Sequence, residues 1–121
     1  MPFSKKNEVK RFINDFKTKL KVYDIIFLDK RKKNTQALLD LEIAPAQREK
    51  IIESIEVKDF VEGPIKDEMY GMDDMWVFGK LLKHKEVYIK ISLGKPNQQV
   101  ICISFHIAEY PLKYPFKKGE K

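Results

Sequence analysis

The sequence predicts an α+β fold in which N-terminal helices pack on one face of a mainly antiparallel, twisted sheet. Near the N-terminus, apolar residues recur with the spacing of one helix face: Val9, Phe12, Ile13, Phe16 and Leu20. Near the C-terminus, three β-branched and aromatic runs follow one another with short connections, which is typical of an antiparallel meander. We expect the helices to cover one face of this meander.

The first half of the chain predicts helices interrupted by one short strand. A helix is expected at residues 5–21, and the β-branched, aromatic run at 22–29 predicts a strand. Two short helices should follow at 35–42, with Asn34 as the N-terminal cap, and at 46–55.

The second half of the chain predicts the sheet. Residues 57–74 lose any period and hold glycine and proline among acidic residues, so this stretch is expected to be a long loop or a broken strand. The meander strands are predicted at 75–82, 86–93 and 99–107. The proline- and aromatic-rich tail at 108–121 should be peripheral and strap across the domain.

Composition limits the classes of protein to consider. With 121 residues, the chain is expected to form one domain, 1–121, around a single core. No apolar run is long enough to cross a bilayer, and the first ten residues lack the apolar segment of a signal peptide. Cys102 is the single cysteine and cannot form an internal disulfide, so we expect a reducing, cytoplasmic setting.

The charges form three blocks along the chain. Residues 1–33 carry eleven Lys or Arg and four Asp or Glu, residues 34–74 carry four and eleven, and residues 75–121 carry nine and three. Two basic segments therefore flank an acidic middle. This pattern favours a surface that attracts phosphate groups, although lysine-rich surfaces are also common in proteins that bind no nucleic acid.

Strand parity predicts which side chains share each face of the sheet, because side chains alternate across a strand. The aliphatic residues of the second and third meander strands should face the helices: Val87, Ile89, Ile91, Leu93, Ile101, Ile103, Phe105 and Ile107. The same rule assigns three residues of the first meander strand to that inner side: Val77, Gly79 and Leu81. It turns three others outward: Trp76, Phe78 and Lys80.

Antiparallel pairing then predicts a cluster on the open face. Tyr88 should lie opposite His106, and Lys90 opposite Ser104. Lys80 should lie on the other side of Tyr88.

Such a cluster contains the groups that cleave RNA without a metal. His106 could take or deliver a proton, Lys90 and Lys80 could neutralise the phosphate, and Tyr88 could donate a hydrogen bond to it. Glu86 is expected to act as a base or to orient His106. These five residues are the predicted catalytic set.

Two other interpretations account for the same polar face. A non-enzymatic RNA-binding domain would use Lys80, Tyr88 and Lys90 without His106. A module that binds a protein partner would need none of them, because polar residues also cover an open sheet face simply for contact with water.

Two further chemistries have weaker support. The predicted register puts Ser92 opposite Cys102. Cys102 could also be a nucleophile that acts with His106, but this is disfavoured because positions four apart on a strand are about 13 Å apart. Four acidic residues of the middle segment lack the spacing of a cation-binding loop, so no metal is expected there: Asp67, Glu68, Asp73 and Asp74.

Residues 55–107 resemble the C-terminal half of the MqsR family of bacterial toxins. The similarity lies in "VYIKI" at 87–91, Trp76 at the start of the preceding strand, "DF" at 59–60 and "ISF" with the residue after it at 103–106. The resemblance implies a RelE-like α+β fold. It also implies a ribosome-independent mRNA interferase that a cognate antitoxin neutralises.

The resemblance assigns roles to single positions. Tyr88 matches the functional tyrosine of the family, and His106 lies where the family has a catalytic lysine. The chain departs from the family at Val77, where a glutamine is usual. It departs again just after "DF", where the family has a catalytic lysine but this chain has "VEG", with Lys66 as the nearest candidate.

The sequence therefore predicts a metal-independent endoribonuclease that cleaves single-stranded mRNA in the cytoplasm and uses no cofactor. Its partners would be RNA and an antitoxin. Four residues are predicted to contact RNA, two of them by stacking on unpaired bases: Trp76, Phe78, Lys66 and Ser104.

Overall fold

The structure, a computed structural model, describes residues 5–28, 32–66 and 74–117. Its helices are α1 (Lys5–Tyr23), α2 (Lys32–Leu41) and α3 (Pro45–Glu53), followed by a 3-10 turn at Val57–Asp59. Its strands are β1 (Ile25–Phe27), β2 (Phe60–Ile65), β3 (Met75–Leu82), β4 (Lys85–Ser92) and β5 (Val100–Ile107). They form one sheet in the order β1-β5-β4-β3-β2, in which β1 runs parallel to β5 and the other pairs are antiparallel. The predicted α+β class and the meander of β3, β4 and β5 are confirmed.

The helices cover one face of the sheet, and one core cluster joins all three helices to the inner sides of the strands. The predicted apolar stripe of α1 is buried, and its Phe12 ring stacks on Trp76 with centroids 4.9 Å apart. Lysines cover much of the rest of α1. Among the described helices, none combines the length and apolar character needed to cross a bilayer.

The parity predicted for β3 is wrong by one residue. Gly79 pairs with Tyr88 and Phe78 with Ile89, so Trp76, Phe78 and Lys80 point toward the helices. The segment has large apolar residues at both parities, and the aromatic rings offer the larger area to bury against α1. Trp76 and Phe78 accordingly lie in the core rather than on the open face.

A bulge interrupts the alternation of β5. Ser104 pairs with Lys90, but Cys102 pairs with Ile91, which leaves Ile103 as the extra residue. The pairing of Ser92 with Cys102 is therefore wrong. Cys102 turns into the core, whereas the predicted inner residue Ile101 pairs with Ser92.

The tail crosses the open face of β4 and β3 as far as it is described, to residue 117. Glu86 accepts hydrogen bonds from the Leu112 backbone N–H at 3.0 Å and from the Tyr114 hydroxyl at 2.8 Å. Both side chains lie over Gly79, where a Cβ atom would come within 2.5 Å of the Tyr114 hydroxyl oxygen. The glycine therefore provides the space in which the tail packs.

Candidate functional site on the open face of the sheet

Tyr88 and His106 form the centre of the site. They are cross-strand partners on β4 and β5, as predicted, and their rings stack with centroids 5.2 Å apart and planes 10° from parallel. The Lys90 amine lies 5.9 Å from the centre of the Tyr88 ring. The predicted phenol, imidazole and one of the two predicted amines thus share one surface.

The imidazole of His106 has a fixed orientation. It is 9% exposed, and its Nδ1 atom lies 2.9 Å from the carbonyl oxygen of Ile107. A carbonyl can only accept a hydrogen bond, so Nδ1 carries the hydrogen. This assignment leaves Nε2 as the nitrogen that can exchange a proton with a ligand.

The stacked pair borders a depression of about 170 Å³. Seven residues line it: Lys33, Tyr88, Lys90, Ser104, His106, Glu109 and Tyr110. It is smaller than the roughly 300–1,000 Å³ of most small-molecule sites. A small depression lined by two lysines suits a phosphate group on a polymer better than an enclosed metabolite.

An ion pair between Lys33 and Glu109 crosses the rim of the depression. Lys33 belongs to the first turn of α2, and Glu109 follows β5. The hydrogen bond from Lys33 and then its charge lower the pKa of the Glu109 carboxyl, and the nearby imidazole of His106 adds a smaller effect of the same sign. Glu109 is therefore a carboxylate at neutral pH and already holds one of the two amines.

Asn34 anchors the strand that carries His106. Its amide donates hydrogen bonds to the carbonyl oxygens of Leu28 and Ile103, each at 2.9 Å, and its side-chain oxygen accepts one from the Phe105 N–H at 3.0 Å. Asn34 lies inside α2 and is 1% exposed, so the predicted role as a helix cap is wrong. It satisfies the backbone groups that the bulge of β5 exposes.

Lys80, predicted to be catalytic, lies on the inner side of the sheet. Its amine pairs with Asp59 at 3.1 Å and reaches the Ser54 carbonyl oxygen at 3.4 Å. This position follows from the parity of β3. The amine is committed to joining β3 to the segment after α3.

Glu86 lies on the open face but is held by the tail. Its Oε1 atom accepts a hydrogen bond from the Leu112 N–H and its Oε2 atom accepts one from the Tyr114 hydroxyl, so both oxygens anchor the tail. Burial, and then the hydrogen bond and charge of Glu86, raise the pKa of the Tyr114 phenol well above its ordinary value.

The predicted RNA contacts separate in the structure. Ser104 lines the depression, whereas Trp76 and Phe78 are in the core. Lys66 follows β2 at the far edge of the sheet, three strands from β5. Lys66 is therefore roughly 14 Å from β5, the strand of His106, in the direction across the strands.

The weaker chemistries find no support in the described part of the chain. Cys102 is a buried thiol outside any disulfide, and its Sγ contacts the Ser104 carbonyl oxygen at 3.3 Å. Asp67, Glu68 and Asp73 lie outside the described residues. Among the residues described, no cluster of three His, Cys, Asp or Glu side chains is arranged to hold a metal ion.

Sequence reasoning missed three residues of the site: Lys33, Glu109 and Tyr110. Lys33 belongs to a basic run whose contact with β5 depends on the packing of α2. Glu109 and Tyr110 follow His106 closely in the chain, and this proximity is the signal that would have found them.

Comparison with known proteins leaves the family open, since no family model, no curated protein and no solved structure matches the chain.

Proposed function

We propose that this chain is a metal-independent endoribonuclease that cleaves single-stranded mRNA, with His106 as its proton donor. The stack of His106 on Tyr88 carries the proposal, because it holds an imidazole at a depression that Lys33 and Lys90 also line. Metal-free RNA cleavage needs one group that transfers a proton and others that neutralise the phosphate.

The reaction is an in-line displacement at phosphorus. The 2′-oxygen of the ribose forms a bond to phosphorus, and the bond from phosphorus to the 5′-oxygen breaks. The 2′-hydroxyl proton passes to water, and protonated His106 delivers its Nε2 proton to the leaving 5′-oxygen. The products are a 2′,3′-cyclic phosphate and a 5′-hydroxyl.

Lys33 and Lys90 stabilise the charge that develops on the phosphoryl oxygens. Lys33 is paired with Glu109 in the free protein, and the incoming phosphate replaces that carboxylate as its partner. Glu109 receives no role as a base, because a carboxyl with a lowered pKa binds a proton weakly.

Tyr88 and the Ile107 carbonyl oxygen orient the proton donor. The phenol ring holds the plane of the imidazole, and the hydrogen bond at Nδ1 aims Nε2 away from the backbone. A fixed donor reacts faster than a mobile one because less orientational freedom is lost in the transition state.

The biological role we propose is that of a cytoplasmic mRNA interferase toxin with a RelE-like fold, neutralised by an antitoxin. Its support is the resemblance to the MqsR family, in which the two matched functional positions are Tyr88 and His106. These two residues are also the stacked pair. The buried Cys102 thiol, which is in no disulfide, suits a reducing compartment.

A second candidate is a domain that binds single-stranded RNA without cleaving it. It is favoured by the positions of Lys80 and Glu86, two predicted catalytic residues that make structural contacts instead. The amines of the depression would serve binding equally well.

The test is incubation of the purified protein with single-stranded RNA in the presence of EDTA. We expect cleavage that leaves a 2′,3′-cyclic phosphate, which end-group analysis detects. RNA that is bound but stays intact would support the second candidate, and RNA that is neither bound nor cut would exclude both.

A further inference from the structure

An aromatic side chain at the edge of the site, Tyr110, was not among the predicted site residues. Tyr110 lines the depression together with Tyr88, Lys90 and His106, and it is 60% exposed. The residues expected to stack on bases, Trp76 and Phe78, are buried. Among the described residues, Tyr110 is the exposed aromatic side chain that borders this depression.

The backbone holds Tyr110 in place from both sides. The Ala108 N–H donates a hydrogen bond to the Glu86 carbonyl oxygen at 2.9 Å, and the Leu112 N–H donates one to the Glu86 carboxylate at 3.0 Å. Residues 109–111 lie between these two hydrogen bonds and form an arch, both ends of which are hydrogen-bonded to Glu86. Pro111 restricts the backbone of this arch further.

Side-chain contacts strengthen the same arch. Glu109 is paired with Lys33, and Leu112 is buried over Gly79. The Phe116 ring stacks on Phe60 further along the tail, with centroids 5.5 Å apart. The exposure of Tyr110 is thus a property of an anchored segment and not of a fraying end.

We infer that Tyr110 is a stacking platform for an unpaired RNA base next to the phosphate held in the depression. This inference rests on the proposed function and names the part of the substrate that the arch recognises. An exposed phenol ring on an anchored backbone segment, beside two lysines, matches the pattern of single-strand binding sites, where bases stack on aromatic rings and cations follow the backbone. Glu86 is then a positioning residue, because it acts through the arch.

Stacking makes two demands on the ligand. The base must be unpaired, so the site would favour single strands over duplexes. Its identity matters little, because every base presents an aromatic face.

The test of this inference compares two ligands and three proteins. The ligands are a single-stranded RNA with cleavage blocked by 2′-O-methyl groups and an abasic chain of the same length, backbone and charge. The proteins are the wild type, Tyr110→Ala and Tyr110→Phe, and fluorescence anisotropy gives each Kd.

We expect the wild type and Tyr110→Phe to bind the base-bearing chain roughly tenfold more tightly than the abasic chain, and Tyr110→Ala to lose most of this preference. The salt dependence of binding should be the same for all three proteins, since no phosphate contact is removed. Unchanged base preference in Tyr110→Ala would overturn the inference.

Cleavage of unblocked RNA by the wild type, measured in parallel, separates this inference from the proposed function. If the wild type cleaves RNA and Tyr110→Ala keeps the base preference, the stacking role of Tyr110 is excluded and the ribonuclease function stands. If the wild type cuts no RNA but its base preference depends on Tyr110, the stacking role stands and the ribonuclease function is excluded.

Discussion

The imidazole of His106 lies against the phenol ring of Tyr88, with ring centroids 5.2 Å apart and the two planes 10° from parallel. This contact joins neighbouring strands on the face of the sheet that the helices leave open. It gives the proposed proton donor a rigid neighbour.

Replacement of Tyr88 should affect cleavage through the orientation of His106. Tyr88→Ala removes the ring that supports the imidazole, and we expect the cleavage rate to fall by roughly two orders of magnitude, the scale on which misplaced catalytic groups lose activity. Tyr88→Phe keeps the stack and should retain most of the rate. Equal losses in both variants would show that the hydroxyl matters and the stack does not.

Replacement of Asn34 should affect stability more than any surface change. Asn34→Ala leaves the buried carbonyl oxygen of Ile103 and the Phe105 N–H without their partner, at a cost of about 2–4 kcal/mol of unfolding free energy. Asn34→Asp is the matched control, since it keeps an acceptor for Phe105 but cannot donate. Urea denaturation measures both, and a loss in Asn34→Ala below about 0.5 kcal/mol, the size of an ordinary surface substitution, would contradict this role.

Removal of the Glu109 charge should increase affinity for RNA. Glu109→Gln removes the carboxylate partner of Lys33, so the incoming phosphate no longer competes with a carboxylate for the Lys33 amine. Lys33→Met should instead weaken binding and reduce the slope of log K against log salt by about one unit. Anisotropy titrations at several salt concentrations measure both effects. Weaker binding by Glu109→Gln would mean that the carboxylate contacts the RNA favourably.

Tyr114 should ionise late on alkaline titration. The pKa of the Tyr114 phenol is raised by burial and by Glu86, so its neutral form stabilises the fold. This contribution is complete below about pH 10, the range of an unperturbed tyrosine, and is lost as the pH rises through the raised value. Tyrosinate absorbance should show a late component that Tyr114→Phe removes and Glu86→Gln shifts to lower pH. If all the tyrosines titrate together in the wild type, the contact with Glu86 does not form in solution.

The register of β4 against β5 at the site was predictable because "EVYIKIS" and "SFHI" alternate strictly between polar and apolar residues. A slip of one position would bury charged side chains, so the pairing of Tyr88 with His106 followed from the sequence alone. The α1 stripe was predictable for the same reason, since a single helical period fits its apolar residues.

The parity of β3 was not predictable from the strand itself. Trp76 and Phe78 alternate with Val77 and Leu81, so either face could be the buried one, and Gly79 is neutral. The choice depends on Phe12 of α1, which stacks on Trp76, and on the tail, which needs the space above Gly79. Both partners are distant in sequence.

The remainder of the site depends on contacts between separate segments. The bulge at Ile103 is satisfied by Asn34 from α2, and Lys33 reaches Glu109 only because α2 packs against β5. No local pattern reports such contacts, because each residue is unremarkable within its own segment. Glu86 illustrates the same limit, since its role as an anchor appears only when the tail is in place.

The most direct measurement compares wild type with His106→Gln in a single-turnover RNA cleavage assay, with RNA affinity measured on the same preparations. If Nε2 of His106 delivers the proton, the cleavage rate of the variant should fall by roughly a hundredfold or more while Kd stays within about twofold. A variant that cleaves RNA as fast as the wild type would contradict the central role of the stacked imidazole.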